Sequence, residues 1–244
     1  MIFRNIFKKK NRIVFIFGAP RGGTTWLWSL LESNKGTIPF LDEKTKNKDG
    51  TYDSSESGVY IKDAKNAGKK IKSFIKNHKD KMVFEKTPSH TLVYDKILKD
   101  FPASNNIVIF RNPIAIVNSM IKSEMEAFKN HDIENSINSV KAYYNKLEEL
   151  CKIEGNIIIT YENLLKETKP VLSGIFQKLN LEVSNIDEII ENNKFKTKVN
   201  VKGALRKGTS DSYKEDLSEA ENDFIAEQLE YEMRFFERIS KLNR

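Results

Sequence analysis

The chain has 244 residues and a formal net charge of +7, from 41 Lys and Arg against 34 Asp and Glu. This length favours a single domain over residues 1–244 with a sizeable core. The basic excess suits an anionic ligand. The sequence has no basic stripe interleaved with aromatic residues, so nucleic-acid binding is not predicted. The one cysteine, Cys151, excludes an intramolecular disulfide and is typical of a reducing compartment. The histidines and the cysteine lack metal-ligand spacing, so we expect no metal site.

The N-terminus does not predict an inserted or exported segment. No apolar run approaches the about 20 residues of a transmembrane helix. Signal-peptide cleavage after Ala19 would cut through a glycine loop that is described below. Residues 2–10 combine Phe3, Ile6 and Phe7 with three lysines and could touch an anionic membrane surface, although a lead-in to the first strand is favoured. We therefore predict a cytoplasmic protein with at most peripheral membrane contact.

The most informative segment is RIVFIFGAPRGGTTWLWSLLES, residues 12–33. A short β-branched and aromatic run ends at Gly18, a glycine-rich loop follows, and an amphipathic stretch then begins with Thr24 and Thr25. A strand, a glycine loop and a helix in this order present backbone N–H groups and a helix N-terminus to a phosphate-like anion. The spacing nearly matches the nucleotide P-loop, but Thr24 stands where that motif requires Lys, and the cation lies inside the loop at Arg21. The segment therefore predicts an anion cradle unlike that of an ATPase.

The string P-R-G-G-T-T-W-L resembles the 5′-phosphosulfate loop of sulfotransferases that depend on 3′-phosphoadenosine-5′-phosphosulfate (PAPS), which reads P-K-[ST]-G-T-T-W-L or close to it. Arg21 takes the place where many members carry Lys and keeps the charge. Fixed donors at this point would stabilise the charge that develops on the leaving phosphate. The resemblance implies that the 5′-phosphosulfate is held by Arg21 and by the amides of Gly22, Gly23, Thr24, Thr25 and Trp26.

Apolar runs recur between helical patterns along the rest of the chain, as expected for a parallel sheet with helices on both faces. The runs MVFEK, NIVIF and NIIIT predict three more strands, and apolar residues at three- and four-residue steps predict a long helix from Ile133 to Cys151. Further helices are predicted over 171–179 and 217–239, and residues 34–60 are predicted as a loop-rich insertion on the substrate side. The predicted fold class is α/β, a P-loop-like three-layer α/β/α architecture around a mostly parallel central sheet.

A second motif follows the NIVIF strand, where Arg111 and Pro113 precede Ser119. Pro113 suits the first position of a helix, because its missing N–H would be unpaired there. The pattern resembles the strand-R-x-P-x5-S motif of sulfotransferases, in which the Arg and the Ser bind the cofactor's 3′-phosphate through a guanidinium fork and a hydroxyl. An NTPase would more typically show an acidic residue near this strand end to hold magnesium, and Arg111 has the opposite sign.

Later segments resemble further parts of the same family. Tyr161 in Y-E-N-L and Phe195 in ENNKFK stand where the family has aromatic residues near the adenine, although Tyr161 could instead cap the sheet. Arg206, Lys207 and Gly208 resemble the C-terminal R-K-G loop that closes over the 3′-phosphate, within a cofactor-closing loop over residues 202–218. A solvated basic turn is the alternative for these three residues.

The general base has several candidates, because an acceptor hydroxyl or amine must lose a proton. Small-molecule sulfotransferases read K-T-H at the end of the second predicted strand, with His as base, whereas this chain has proline there. E-K-T-P resembles the carbohydrate and bacterial branches, whose glutamate base often comes from the loop after the first helix. The candidates there are Asp42 and Glu43, and we favour Glu43, with His90 second and Glu85 third. Lys86, at the strand end, can follow the bridging oxygen as charge develops.

The resemblance implies an enzyme that moves a sulfuryl group from PAPS to a hydroxyl or amine acceptor and leaves adenosine 3′,5′-bisphosphate (PAP). A saccharide is slightly favoured as the acceptor. Two other classes stay open from the residues: a P-loop kinase or NTPase-like protein, and a non-catalytic nucleotide-binding module in which the cradle persists without a base.

Overall fold

The computed structural model describes residues 12–41, 47–48, 51–193 and 210–242. Within these ranges five strands form one sheet, in which all neighbours are parallel and the order is β2-β3-β1-β4-β5. The strands are β1 (Ile13–Gly18), β2 (Thr37–Pro39), β3 (Met82–Lys86), β4 (Asn105–Phe110) and β5 (Ile157–Thr160).

Helices connect the strands and cover both faces of the sheet. In chain order they are α1 (Thr24–Glu32), α2 (Val59–Lys62), α3 (Ala64–Asn77), α4 (Tyr94–Asp100), α5 (Pro113–Ile121), α6 (Ile133–Cys151), α7 (Tyr161–Lys166), α8 (Thr168–Leu179), α9 (Ile186–Asn192), α10 (Tyr213–Asp216), α11 (Glu219–Gln228) and α12 (Glu230–Leu242). Short 3₁₀ turns occupy Pro88–Val93 and Glu126–Phe128.

Two apolar clusters, one on each face of the sheet, give the fold three layers. Alternate residues of β1 point to opposite faces, so Phe15 and Phe17 pack with α5, α6 and α12, whereas Val14 and Ile16 pack with α1 and α8. Every residue of β1 is buried, as expected for the central strand of a parallel sheet. The predicted three-layer α/β/α fold with a parallel sheet is confirmed.

The long predicted elements are present, and two other regions differ in detail from the prediction. The four predicted strands, the helix from Ile133 to Cys151 and the helix that begins at Pro113 are present. Residues 34–60, predicted as loop-rich, contain β2, which is too short for a period of two to be recognised. The helix predicted over 217–239 is two helices, because the chain leaves helical geometry at Leu229, with φ −110° and ψ 23°.

The sheet topology determines where a ligand can bind. The chain leaves β1 toward β2 on one side of the sheet, whereas β4 continues to β5 on the other side. The carboxyl ends of β1 and β4 are neighbours, since Gly18 pairs with Ile109. A crevice opens outside neighbouring strand ends whose connections diverge, and ligands of open α/β sheets bind there. Both predicted phosphate motifs begin at these two strand ends.

Candidate active site

The glycine loop after β1 is a tight turn that ends in α1. The N–H of Gly22 donates to the carbonyl of Ala19 over 2.9 Å, and both Arg21 (φ 65°) and Gly23 (φ 90°) adopt left-handed backbone geometry. A Cβ on Gly23 would lie 2.3 Å from the Tyr161 ring, so this position accepts only glycine. The loop backbone therefore lies directly against Tyr161, the first residue of α7, which follows β5.

The first turn of α1 offers donors without a competing negative charge. Gly23 is the N-cap residue and makes no side-chain cap, and no acidic residue stands in the first turn. A helix begins with backbone N–H groups that have no intrahelical acceptor, and the helix dipole makes this end positive. The helix N-terminus is therefore suited to an anion, as predicted from the sequence.

Arg21 connects the loop to the motif that follows β4. Its Nε donates to Ser119 Oγ over 3.1 Å, and its backbone carbonyl accepts from Arg111 Nη1 over 2.8 Å. Ser119 lies on α5 and is buried. Two guanidinium groups and a hydroxyl thus meet at the carboxyl ends of β1 and β4. The residues that the sequence assigned to the two phosphate groups are brought together.

The segment after β4 is held in a defined conformation. Asn112 caps α5, because its side-chain oxygen accepts from the N–H groups of Ile114 (2.9 Å) and Ala115 (3.2 Å). The N–H of Asn112 donates to Glu162 Oε1 over 2.9 Å, and burial raises the pKa of the Glu162 carboxyl. These contacts orient the backbone from which Arg111 projects.

Tyr161 is buried between several parts of the site. Its ring packs on Gly23, the Arg111 guanidinium lies 4.7 Å from its centroid, and the Trp26 ring meets it edge-on at 6.0 Å. Cation–π contact of this kind orients an arginine. The structure thus gives Tyr161 a supporting role for the loop and for Arg111, and its predicted contact with adenine stays a prediction.

Lys86, the last residue of β3, lies beside the anion loop with its side chain fully buried. Its Nζ donates to Ser55 Oγ over 2.7 Å, contacts Glu56 Oε1 at 3.1 Å, and lies 3.5 Å from Thr25 Oγ1. Burial lowers the pKa of Lys86, and the neighbouring Glu56 carboxylate partly opposes that change. The Glu56 side chain is 43% exposed, so this pair has a buried cation and an accessible carboxylate.

The segment from Ser55 to Tyr60 is clamped to the end of β3 by a buried polar network. Glu85 accepts from Ser57 Oγ and from Thr87 Oγ1, each over 2.6 Å, and its other oxygen lies 2.9 Å from His90 Nδ1. The opposite ring nitrogen of His90 accepts from the N–H of Tyr60 over 3.1 Å. That nitrogen therefore carries a lone pair, which places the ring proton on Nδ1 and makes it a donor to Glu85.

This network argues against two of the predicted base candidates. His90 and Glu85 are each 1% exposed, and both ring nitrogens of His90 already have partners. Burial alone would raise the pKa of Glu85, but His90 and the two hydroxyl donors bring it below its ordinary value of 4.5. Neither residue presents an atom to an acceptor, because both are used inside the protein. His90 and Glu85 are the second and third candidates from the sequence.

A pocket of about 260 Å³ lies over the loop and beside Lys86. One wall is the loop and the start of α1, including Arg21 and Thr25, and a second is the segment Ser54–Glu56. The third wall includes Phe128 and Tyr143. Burial and the Glu56 charge raise the pKa of Tyr143 to about 12. The pocket therefore combines an anion cradle, hydroxyl groups, a carboxylate and aromatic surface.

Several predicted site residues lie outside the residues that the structure describes: Asp42, Glu43, Phe195, Arg206, Lys207 and Gly208. Conversely, Ser55 and Glu56 lie in the predicted insertion and contact Lys86, and neither is among the site residues predicted from the sequence. The polar run SSESG before α2 is a weak signal for them, because it also fits an ordinary solvated loop.

The described residues contain no group of three or more His, Cys, Asp or Glu side chains that could hold a metal ion. In the same ranges, every helix is too short or too polar to cross a membrane.

Comparison with known proteins identifies the family. Residues 14–185 match the model of the sulfotransferase family. No protein of curated function matches the sequence closely enough to count as a relative.

Solved structures with this fold include the sulfotransferase domain of the Synechococcus PCC 7002 olefin synthase (TM-score 0.62, 14% identity, 90% of this chain and 94% of that one). A mouse sulfotransferase complexed with PAP is similar over 91% of this chain and 84% of its own (TM-score 0.58, 16% identity). Retinol dehydratase in a complex with retinol and PAP is similar over 90% and 80% (TM-score 0.56, 14% identity). The chain therefore belongs to the sulfotransferase family, whose enzymes use PAPS as the sulfuryl donor.

Proposed function

We propose that this enzyme transfers the sulfuryl group of PAPS to a hydroxyl or amine acceptor, and that the acceptor is a saccharide. The observation that carries the donor assignment is the meeting of Arg21, Arg111 and Ser119 at the carboxyl ends of β1 and β4. Two cations and a hydroxyl at a helix N-terminus suit a ligand with phosphate groups on both sides of a ribose.

The residues present fit such a donor. At Gly23 only the absence of a Cβ lets the loop pack on Tyr161, so the loop backbone is preformed. The donor supplies an electrophilic sulfuryl group whose departure leaves negative charge on its 5′-phosphate. Arg21 and the first amides of α1 are fixed donors near that charge and would stabilise it without reorganisation.

Lys86 and Glu56 are the proposed acting groups of the protein. Lys86 Nζ lies between Thr25 of the cradle and Glu56 of the pocket wall, so it can donate to the oxygen that gains charge as the sulfuryl bond breaks. Glu56 is accessible in the pocket and can accept the proton of the acceptor. Glu43 stays a prediction for the same role, and His90 is left out because it is buried with both nitrogens bound.

The pocket lining supports a saccharide acceptor. Ser54, Ser55 and Glu56 offer hydroxyl and carboxylate partners for sugar hydroxyls, and Phe128 and Tyr143 offer aromatic surface for a sugar ring. A structural neighbour is crystallised with retinol and PAP, and this alcohol supports a hydroxyl acceptor in general rather than a saccharide. A cytoplasmic location is part of the proposal and rests on the single cysteine.

A P-loop NTPase is the rival function, and the charge at the end of β4 disfavours it. Arg111 projects from this strand end toward the loop, where an NTPase would need an acidic residue for magnesium. A non-catalytic binding module would keep the cradle without acting groups, yet Lys86 and Glu56 are paired beside it.

Thermal-shift titrations with PAP and with ATP plus magnesium test the donor assignment. We expect stabilisation by micromolar PAP and none by ATP at the same concentration. Stabilisation by ATP and magnesium alone would overturn it.

Turnover of radiolabelled PAPS with a panel of saccharides, steroids and simple alcohols tests the acceptor class. Turnover confined to steroids or alcohols would leave the donor assignment standing and reject the saccharide.

A further inference from the structure

The positive charge of the chain is concentrated in one segment. Residues 62–81 carry eight lysines against two aspartates, a net charge of +6, whereas the whole chain has +7. The remaining 224 residues are therefore almost neutral. Most of this segment is α3, which contains no acidic residue and packs its Phe74 ring on Phe40, the residue after the edge strand β2.

Four of these lysines form a stripe along α3. Lys65, Lys69, Lys72 and Lys76 follow the spacing i, i+4, i+7 and i+11, which places them on one side of a helix, and all four are exposed. The opposite side buries Ala67, Gly68 and Ile71 in the core. Lys72 extends over the Phe101 ring at 5.2 Å, and none of the four forms an ion pair with another described residue.

A groove of about 560 Å³ joins this helix to the segment that borders the reaction pocket. Its walls include Lys62, Lys70 and Ser73 from the α2–α3 side, together with Phe40 and Ser57. Ser57 directly follows Ser54–Glu56, which line the reaction pocket. The segment Ser54–Ser57 thus borders both cavities, and Asp63 also lines the groove. On the α3 wall, Ser73 stands four residues after Lys69 and three before Lys76, so the groove opens beside the lysine stripe. Lys70 is paired with Asp63 at 2.8 Å and keeps a side chain that is 54% exposed.

We propose that α3 and this groove bind the non-reacting part of an anionic polysaccharide acceptor, one that carries carboxylate or sulfate groups. The inference rests on the proposed function, since it extends the same acceptor site. Four lysines along about 16 Å of helix, at 1.5 Å per residue, match a linear array of anionic groups better than a single small anion. Their combined field raises the local concentration of such a chain near the pocket.

Other polyanions fit the surface less well. Binding to a membrane surface needs several apolar anchors beside the cations. Within residues 59–81 a single large apolar side chain, Ile61, is exposed, which is too little for such an anchor. Binding of single-stranded nucleic acid uses exposed aromatic platforms, and the described part of the lysine segment exposes none.

Binding measurements on the full chain test the inference without turnover. The probes are heparin and polygalacturonate as sulfated and carboxylated polysaccharides, dextran as the neutral control, phosphatidylglycerol vesicles and duplex DNA. The variant carries Lys65→Gln, Lys69→Gln, Lys72→Gln and Lys76→Gln. The matched control carries Lys152→Gln, Lys166→Gln, Lys169→Gln and Lys178→Gln, four exposed lysines elsewhere. Two double variants, Lys65→Gln with Lys69→Gln and Lys72→Gln with Lys76→Gln, carry the test if the fourfold variant does not fold.

We expect the wild type to bind at least one anionic polysaccharide but not dextran. The stripe variant should bind it about tenfold or more weakly, with a reduced dependence on salt, and the control should bind nearly as the wild type. Equal losses in both variants, or binding confined to vesicles or DNA, would overturn the inference. PAP affinity, measured in parallel, should not change in the stripe variant. Absence of PAP binding in the wild type would count against the proposed function instead.

Discussion

The guanidinium of Arg21 donates from Nε to the hydroxyl of Ser119 over 3.1 Å, although the two residues stand 98 positions apart. The backbone of Arg21 is left-handed, with φ 65°, and its side chain extends toward Ser119 on α5. The sequence assigned Arg21 to a 5′-phosphosulfate and Ser119 to a 3′-phosphate. Their contact means that the two phosphate motifs form one hydrogen-bonded unit. A phosphate of a bound nucleotide would compete with Ser119 Oγ for the N–H of Arg21 Nε.

The first prediction concerns discrimination between nucleotides. If Arg111 and Ser119 hold a 3′-phosphate, the wild type should prefer PAP to AMP by about 2 to 4 kcal/mol, the scale of charge-assisted hydrogen bonds. Arg111→Ala should remove most of that preference, and Ser119→Ala a smaller share. Calorimetric titrations with both nucleotides measure it. Equal affinity of the wild type for PAP and AMP would reject the 3′-phosphate assignment.

The second prediction separates charge from shape at Arg21. Arg21→Ala should lower turnover by about 10² or more, with a smaller loss in PAP affinity, because the charge that it meets develops in the transition state. Arg21→Lys should retain substantial activity, since a point charge is sufficient there. Steady-state kinetics beside PAP titrations give the comparison. Turnover of the Ala variant at the wild-type level would exclude the role.

The sequence predicts those parts of the molecule whose signal is local. The strands β1 and β4 are apolar runs because both of their faces are buried, and the loop from Gly18 to Thr25 is recognisable because a tight turn restricts its residues. The three residues of β2 have no such pattern. Their strand conformation depends on pairing with β3, which is a tertiary contact.

Lys86 is predicted from its place at a strand end, whereas its proposed partner Glu56 was harder to predict for the same reason as β2. Glu56 and Lys86 are 30 positions apart and meet only because the loop before α2 crosses the end of β3. His90 illustrates the converse, since a histidine near a strand end suits a base and equally suits an internal hydrogen-bond partner. Only the burial of His90 and the N–H of Tyr60 at its Nε2 distinguish the two roles.

The third prediction tests the clamp around Glu85. In Glu85→Gln the amide oxygen can accept from the two hydroxyls, but an N–H then faces His90 Nδ1. That nitrogen would have to accept, and the ring proton would move to Nε2, against the N–H of Tyr60. We expect a loss of about 1 to 3 kcal/mol in the free energy of unfolding at pH 7. The amides of Gly58 and Tyr60 should also exchange faster with solvent hydrogen, because both are held by this network.

The pH dependence of that loss has a defined sign. The pKa of Glu85 is lower in the folded protein than its ordinary value of 4.5, so the charge contributes stability above about pH 4.5. That contribution is lost as the pH falls through the folded-state pKa. The difference in melting temperature between wild type and Glu85→Gln should therefore shrink in acid. Glu154→Gln, at an exposed glutamate, serves as control and should show little difference at any pH. A difference that grows in acid would contradict the assignment.

The fourth prediction concerns the general base, and it can be tested once a substrate that receives the sulfuryl group is known. Glu56 is accessible in the pocket and lies 3.1 Å from Lys86 Nζ, so its carboxylate can receive a proton beside the cradle. Glu56→Gln keeps the size and most hydrogen bonds but removes the basic site, and should lower kcat by about 10² to 10⁴ with PAP affinity unchanged.

Glu43→Gln tests the rival from the sequence, and His90→Asn should act mainly on stability through the Tyr60 contact. Normal turnover in Glu56→Gln together with its loss in Glu43→Gln would move the base to Glu43. Loss of turnover in His90→Asn, with wild-type melting temperature and unchanged exchange of the Tyr60 amide, would return the role to His90.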